Sequence, residues 1–184
     1  MLRSLRRRAE YHRKAGEIYG AIVTQSRQPA FYARLGIPDT PTGRYEMVVI
    51  HLFLVLERLR VAGASPEAEA AAQALVDAFV ADIDDSLREL GTGDVGVPRR
   101  VKRAAAGFYA RAKDYREAIA AGGSALERIL ARHLEAPVGA TVSVNALAGY
   151  VQAATVTLGA APVADVLDGR LFFPDPSIAV KSAP

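Results

Sequence analysis

Three sets of polar side chains in this 184-residue sequence have spacings that can do chemistry. Asp82, Asp85 and Glu89 recur at three and four residues, which on a helix makes one acidic stripe away from the apolar face. Such a stripe suits a basic partner, or is simply a solvated helix face. It makes a poor metal site, because hard cations prefer closely spaced loop oxygens and no His lies near in sequence. Lys102, Tyr109, Lys113 and Arg116 fall in one sector of a second helical segment. An aromatic among cations can bind phosphates or an acidic peptide, or can be a snorkelling surface with Tyr109 partly buried. Arg44, His51 and Arg58 are spaced by seven along an otherwise apolar segment. A polar line there is costly unless it is satisfied or reaches the surface. It reads as a contact line for a partner or a polar ligand head, or as one structural histidine with an arginine in water at each end.

The first two sets meet at a corner where the charge reverses. Residues 77–94 carry six carboxylates against Arg88, a balance of −5, and residues 98–116 carry seven bases against Asp114, a balance of +6. Gly91, Gly93 and Gly96 permit positive φ between them, and Pro98 suits the first turn of the next helix. Packing alone does not require polar groups concentrated in this way. Arg88, Glu89 and Asp94, with Lys102, Arg103, Tyr109 and Arg111, are therefore candidate partner-binding residues.

Catalysis has little to work with. The absence of Cys removes disulfides, thiolate metal sites and a thiol nucleophile. With only His12, His51 and His133, metal chemistry would rest on carboxylates, so neither a metal nor a cofactor is expected. The serines near helix starts are explained as caps. Gly91-Thr92-Gly93-Asp94-Val95-Gly96 resembles a dinucleotide loop only superficially, since that loop needs a preceding strand and a helix precedes it here. A non-enzymatic protein is expected. The net charge of +3 is small, but residues 1–14 alone sum to +5, so a basic terminus and a basic helix can face anionic lipid, nucleic acid or an acidic protein. No recognised nucleic-acid motif accompanies them, and specific DNA readout is not expected. The terminus lacks the apolar run of a secretory signal. The apolar run 47–56 is about half the length that crosses a bilayer, and the uncharged stretch 136–164 is interrupted by Pro137, Asn145, Gln152 and Pro162.

The elements that must position these residues are helices. Tyr11, Ala15, Ile18, Tyr19, Ile22 and Val23 give one buried face, ending before Pro29. A short helix from about 29 to 35 stops at Gly36, and residues 37–43 read as a rigid loop. A helix from about 44 to 62 is apolar on nearly every side, as a central element must be. Ser65 and Pro66 start the next, which reaches Leu90. A helical face runs from Val97 to Ile119, and Ser124 with Glu127 forms a capping box for a helix to about Glu135. A small-residue helix from 143 to 158 follows. Beyond about 162, Leu171, Phe172 and Phe173 suit an extended docking segment. No strand pair and no repeat are visible. The expected architecture is a single all-α domain of about six to seven helices over residues 1–160, with 161–184 as a tail that packs on it or stays partly flexible.

Two blocks resemble the ubiquinol-cytochrome c chaperone family. The first is Ser26-Arg27-Gln28-Pro29-Ala30-Phe31-Tyr32-Ala33-Arg34-Leu35-Gly36-Ile37-Pro38-Asp39-Thr40 with Gly43-Arg44-Tyr45-Glu46 and Ile50-His51-Leu52. The second is Phe79, Asp82 and Asp84-Asp85-Ser86-Leu87-Arg88-Glu89-Leu90-Gly91-Thr92-Gly93-Asp94, then Val97-Pro98 and Phe108-Tyr109-Ala110-Arg111. The resemblance spans about 15–135. It departs at Ala110, where the family commonly has Gly, and residues 136–184 match no part of it.

The resemblance implies an all-helical, non-enzymatic assembly chaperone that binds newly made cytochrome b during biogenesis of the ubiquinol-cytochrome c reductase complex. In mitochondria such factors work with a small helical co-chaperone near the ribosomal exit and the inner membrane. The short form here is more similar to bacterial members, implying a cytoplasmic protein peripheral to the inner membrane, or a matrix protein if eukaryotic. The expected client surface joins Arg27, Phe31, Tyr32, Asp39, Thr40, Arg44 and His51 to the corner residues above. Two other readings stay open. One is a module for an anionic lipid or quinone-like ligand, with an apolar pocket opening beside Arg44 or Arg58. The other is a ribosome or RNA adaptor using the basic helix and the N-terminal arginines.

Overall fold

The apolar segment at the centre of the sequence becomes the axis of the fold. In the computed structural model, which describes residues 2–61, 63, 65–89, 97–134 and 142–179, α3 (Pro41–Val61) is buried at every residue from Glu46 to Val55. A helix hidden on all sides needs neighbours all round. It has them in α1 (Leu2–Ser26), α4 (Pro66–Glu89), α5 (Val97–Ala121), α6 (Ala125–Leu134), α7 (Val144–Ala160) and the short α8 (Val163–Leu167). The remaining elements are α2 (Pro29–Ala33) and α9 (Pro176–Ala179), and the described residues contain no strand.

Helix starts follow local chemistry. α3 begins at Pro41, three residues earlier than apolar periodicity suggests, because the Thr40 hydroxyl accepts the Gly43 N–H at 3.1 Å and Pro41 suits the first turn. The loop after α2 then passes so close that a Cβ on Gly43 would lie 2.0 Å from the Pro38 carbonyl oxygen. Only glycine fits there. Gly36, at φ 70°, makes the preceding reversal possible. Ser65 caps α4 by accepting the Ala68 N–H at 3.0 Å. At α6 the Ser124 hydroxyl instead accepts from the Arg128 guanidinium at 2.6 Å.

The apolar stripes set the packing. α1 lies along α4, with Tyr19 near Phe79 (ring centroids 6.4 Å apart). α4 returns through α5, where Phe79 meets Phe108 at 5.4 Å. α7 closes the other flank of α3 through Ala146, Leu147, Tyr150 and Val151, all buried. Its small residues permit that close approach.

The chain after α7 folds back rather than running extended throughout. Two short helices form, and residues 170–175 between them are non-helical. Lys14 on α1 meets Asp168 after α8 at 3.1 Å, and the Phe173 ring sits edge-on to His51 at 5.2 Å. None of the described helices is long and apolar enough to cross a membrane.

Candidate functional site

The polar line along α3 resolves into three separate environments. Arg44, in the first turn, is exposed and donates to Asp39 at 2.6 Å. Arg58, near the other end, donates through Nε and Nη2 to the Ala161 carbonyl at 3.1 and 2.7 Å. This places a cation just past the C-terminus of α7, where the helix dipole favours it. His51 lies between them with no solvent exposure. Its Nδ1–H donates to the Met47 carbonyl at 2.7 Å, so Nε2 accepts the Tyr150 hydroxyl at 2.8 Å, and that oxygen accepts from Gln25 at 3.1 Å. Every member is satisfied, and burial holds the imidazole neutral by lowering its pKa to about 4. His51 is a structural residue sealed beneath Phe31 and Phe173 and offers a partner nothing to touch.

Phe31 is corrected in the same way. Its ring is wholly buried, 4.8 Å from Tyr150, as the inner face of a one-turn helix that must bury something to be held. Arg27, just before this helix, is exposed, as are Gln28, Pro29, Ala33 and Arg34. Tyr32 is half-buried, its hydroxyl donating to the Ser26 carbonyl at 2.9 Å, and Thr40 is the cap of α3. Arg27, Tyr32, Asp39 and Arg44 still form one polar end of the bundle, close enough for both arginines and Asp39 to act electrostatically on Tyr32. The start of α5 adjoins this end, for the Tyr45 hydroxyl donates to the Ala104 carbonyl at 3.3 Å.

Arg111 has a partner inside the molecule. Its Nε spans both oxygens of Glu46 at 2.8 and 2.9 Å, and Nη2 reaches Oε1 at 2.6 Å. The guanidinium lies 5.7 Å from the centre of the Tyr45 ring. Glu46 is fully buried, a carboxylate among the apolar residues of α3 that requires such a fork. Burial works against the Arg111 charge, but the Glu46 carboxylate outweighs it and raises the pKa. Arg111 therefore bolts α5 to α3. Glu46 stands in the quoted sequence block, but spacing along one helix does not show what faces it across the bundle.

The remaining corner residues divide. Lys102 and Arg103 are exposed on α5, and Tyr109 is 56% exposed. The side chains of Arg88 and Glu89, and all of Asp94, lie outside the described residues. Asp82 accepts the Tyr19 hydroxyl at 2.8 Å and ties α4 to α1. Among the described residues no group of His, Asp and Glu is arranged to hold a metal.

Two concave surfaces emerge that no spacing rule reveals, because each needs three helices from distant parts of the chain. A groove of about 520 Å³ lies between α3, α4 and α5, with Leu56, Ala72, Val76, Phe108 and Ala112 in its floor and walls and exposed Tyr109 on its rim. A cleft of about 370 Å³ lies between α3, α5 and α7. Both surfaces include Phe53, Glu57, Arg60 and Arg116. Glu57 accepts from Arg60 Nε at 2.9 Å and from Arg116 Nε at 3.0 Å, one carboxylate oxygen for each arginine.

The described residues thus form a helical body with exposed cations along α5 and an apolar groove beside them. The chain belongs to the ubiquinol-cytochrome C chaperone family, whose model matches residues 33–173. Its role is that of a chaperone for the ubiquinol-cytochrome c reductase complex. The match continues through α7 and α8, past the limit near residue 135 set by the two sequence blocks. The chain is similar to the Cbp3 homolog from Brucella abortus, a crystal structure, with 36% identity and a TM-score of 0.82 over 96% of this chain and 97% of that one. Comparison with curated proteins returned no match.

Proposed function

We propose that the protein holds newly made cytochrome b during assembly of the reductase complex. An apolar segment of the client lies in the α3–α4–α5 groove, beside the basic stripe of α5. The observation that carries this reading is the groove itself: about 520 Å³, floored by Phe108 and Leu56 and rimmed by an exposed tyrosine. Along the same helix Lys102, Arg103 and Lys113 stand exposed. An immature membrane subunit presents apolar helices and charged loops. Apolar contact then holds it while charge sets its orientation. The polar end formed by Arg27, Asp39 and Arg44 extends the charged border of this surface, and Tyr45 links the two regions.

This reading places the protein peripherally at the membrane face where the client emerges, cytoplasmic in a bacterium or matrix-side in a mitochondrion. The family's chaperone role accords with a binding surface rather than a reaction centre. Charge reversal at Lys102 and Arg103 tests it, because both side chains are exposed. Arg111 is unsuitable, since its loss strands Glu46. In affinity capture from native membranes, the double variant should recover several-fold less cytochrome b than the parent at an unchanged helical signal. Equal recovery would remove this surface from the account.

A further inference from the structure

The cleft between α3, α5 and α7 is separate from the client groove in its occupant, although the two share a wall. Phe53, Leu54, Val61, Ile119 and Leu158 line it, and its volume of about 370 Å³ lies within the range of small-molecule pockets. Its charged lining consists of Arg58, Arg60 and Arg116 against Glu57. Glu57 divides its two oxygens between Arg60 and Arg116, while Arg58 faces the Ala161 carbonyl. Arg60 and Arg116 share the one carboxylate, each through Nε and Nη2, and Arg58 takes a neutral carbonyl, so the lining keeps an excess of positive charge, and each guanidinium has further N–H donors beyond these contacts. Arg60 and Arg116 keep side-chain exposures of 57% and 44%, so both can turn to a ligand without opening the core. Val61, 65% exposed, continues the apolar wall out to solvent beside them.

We propose that this cleft binds a single-chain anionic amphiphile, a fatty carboxylate, with its chain against Phe53, Ile119 and Leu158 and its head on Arg60 and Arg116. The chemistry follows from charge complementarity. An apolar slot alone takes any hydrocarbon, but planar guanidiniums at its mouth select a carboxylate through paired, charge-assisted hydrogen bonds. Phe53, Arg60 and Arg116 also line the client groove, but Ile119, Leu158 and Gly159 line the cleft alone, so a change at Gly159 tests this binding separately from the proposed grip on cytochrome b.

Gly159 supplies a clean test, because it lines the cleft and a Cβ there meets nothing within 4 Å. Gly159→Leu fills the slot without disturbing the arginines, and leucine is a better helix former than glycine. Arg60→Gln removes one head contact at an exposed position. Dodecanoate titrated calorimetrically into the full chain, below its micelle concentration, should bind saturably at one site. Dodecanol should bind at least tenfold more weakly, as should dodecanoate to Arg60→Gln, and Gly159→Leu should abolish the signal while keeping or raising its thermal midpoint. Absence of saturable binding to the parent would overturn the proposal, as would equal affinity for the alcohol or insensitivity to both substitutions. Sedimentation with anionic phospholipid vesicles that Gly159→Leu leaves intact, without dodecanoate binding, would assign the arginines to a membrane surface and equally overturn it.

Discussion

Glu46 and Glu57 stand three turns apart on the same helix, and both join α3 to an arginine of α5. The first is fully buried beneath a bidentate guanidinium, whereas the second shares its oxygens between two partly exposed arginines beside open grooves. Residue type is constant across the pair and only the surroundings differ. The sealed bridge fixes the two helices relative to each other. The open bridge leaves donors and apolar walls within reach of another molecule. An ion pair therefore indicates a functional surface only where water still reaches it; elsewhere it is part of the frame.

The largest effect expected is on the sealed bridge. Arg111→Met leaves the Glu46 carboxylate without its guanidinium and should cost about 3 kcal/mol or more, read as a fall in the denaturant midpoint. Adding Glu46→Gln should recover much of that loss. If the single variant is as stable as the parent, the two bridges do not differ as described.

His51, sealed like Glu46, makes stability depend on pH. Folded His51 stays neutral down to about pH 4, while the unfolded chain protonates it near its ordinary value of 6.5. Unfolding then takes up a proton between those values, so stability falls as pH drops from about 6.5 toward 4, by roughly 3 kcal/mol across the window. His51→Gln should lose that part of the slope, so its deficit relative to the parent should shrink as the solution is acidified. Parallel pH profiles for parent and variant would contradict a buried neutral imidazole.

The smallest effect is expected at the open bridge. Glu57→Gln weakens two partly exposed ion pairs and should change stability by less than about 1 kcal/mol. Its carboxylate also competes for Arg60 and Arg116, so the variant should bind an anionic ligand in the cleft more tightly. A large loss of stability would place Glu57 with Glu46 in the frame.

Helices were legible in the sequence because their signals are local. The period of the α1 stripe, Ser65 and Pro66 before α4, and the unbroken apolar run of α3 each refer only to neighbours in the chain. Thr40 and Pro41 carry a start signal just as local, though apolar periodicity alone places that start later. Exposure was legible where it follows from a helical sector, as for Lys102, Tyr109, Lys113 and Arg116. It was not legible for Phe31, since a helix of little more than one turn shows its inward face only once Tyr150, far away in sequence, is seen to pack on it; for His51 the spacing left a contact line and a structural histidine both open, and burial on the central helix decides for the second. The groove and the cleft are shapes between three helices and have no counterpart in any single spacing.

The proposed seat of cytochrome b in the α3–α4–α5 groove can be read by site-specific photocrosslinking. A photoreactive residue at Tyr109, on the rim of the groove, should crosslink to newly made cytochrome b. The same residue at Gln152, exposed on α7 outside both concave surfaces, should give little product. Comparable yields from the two positions, or product from Gln152 alone, would contradict the account.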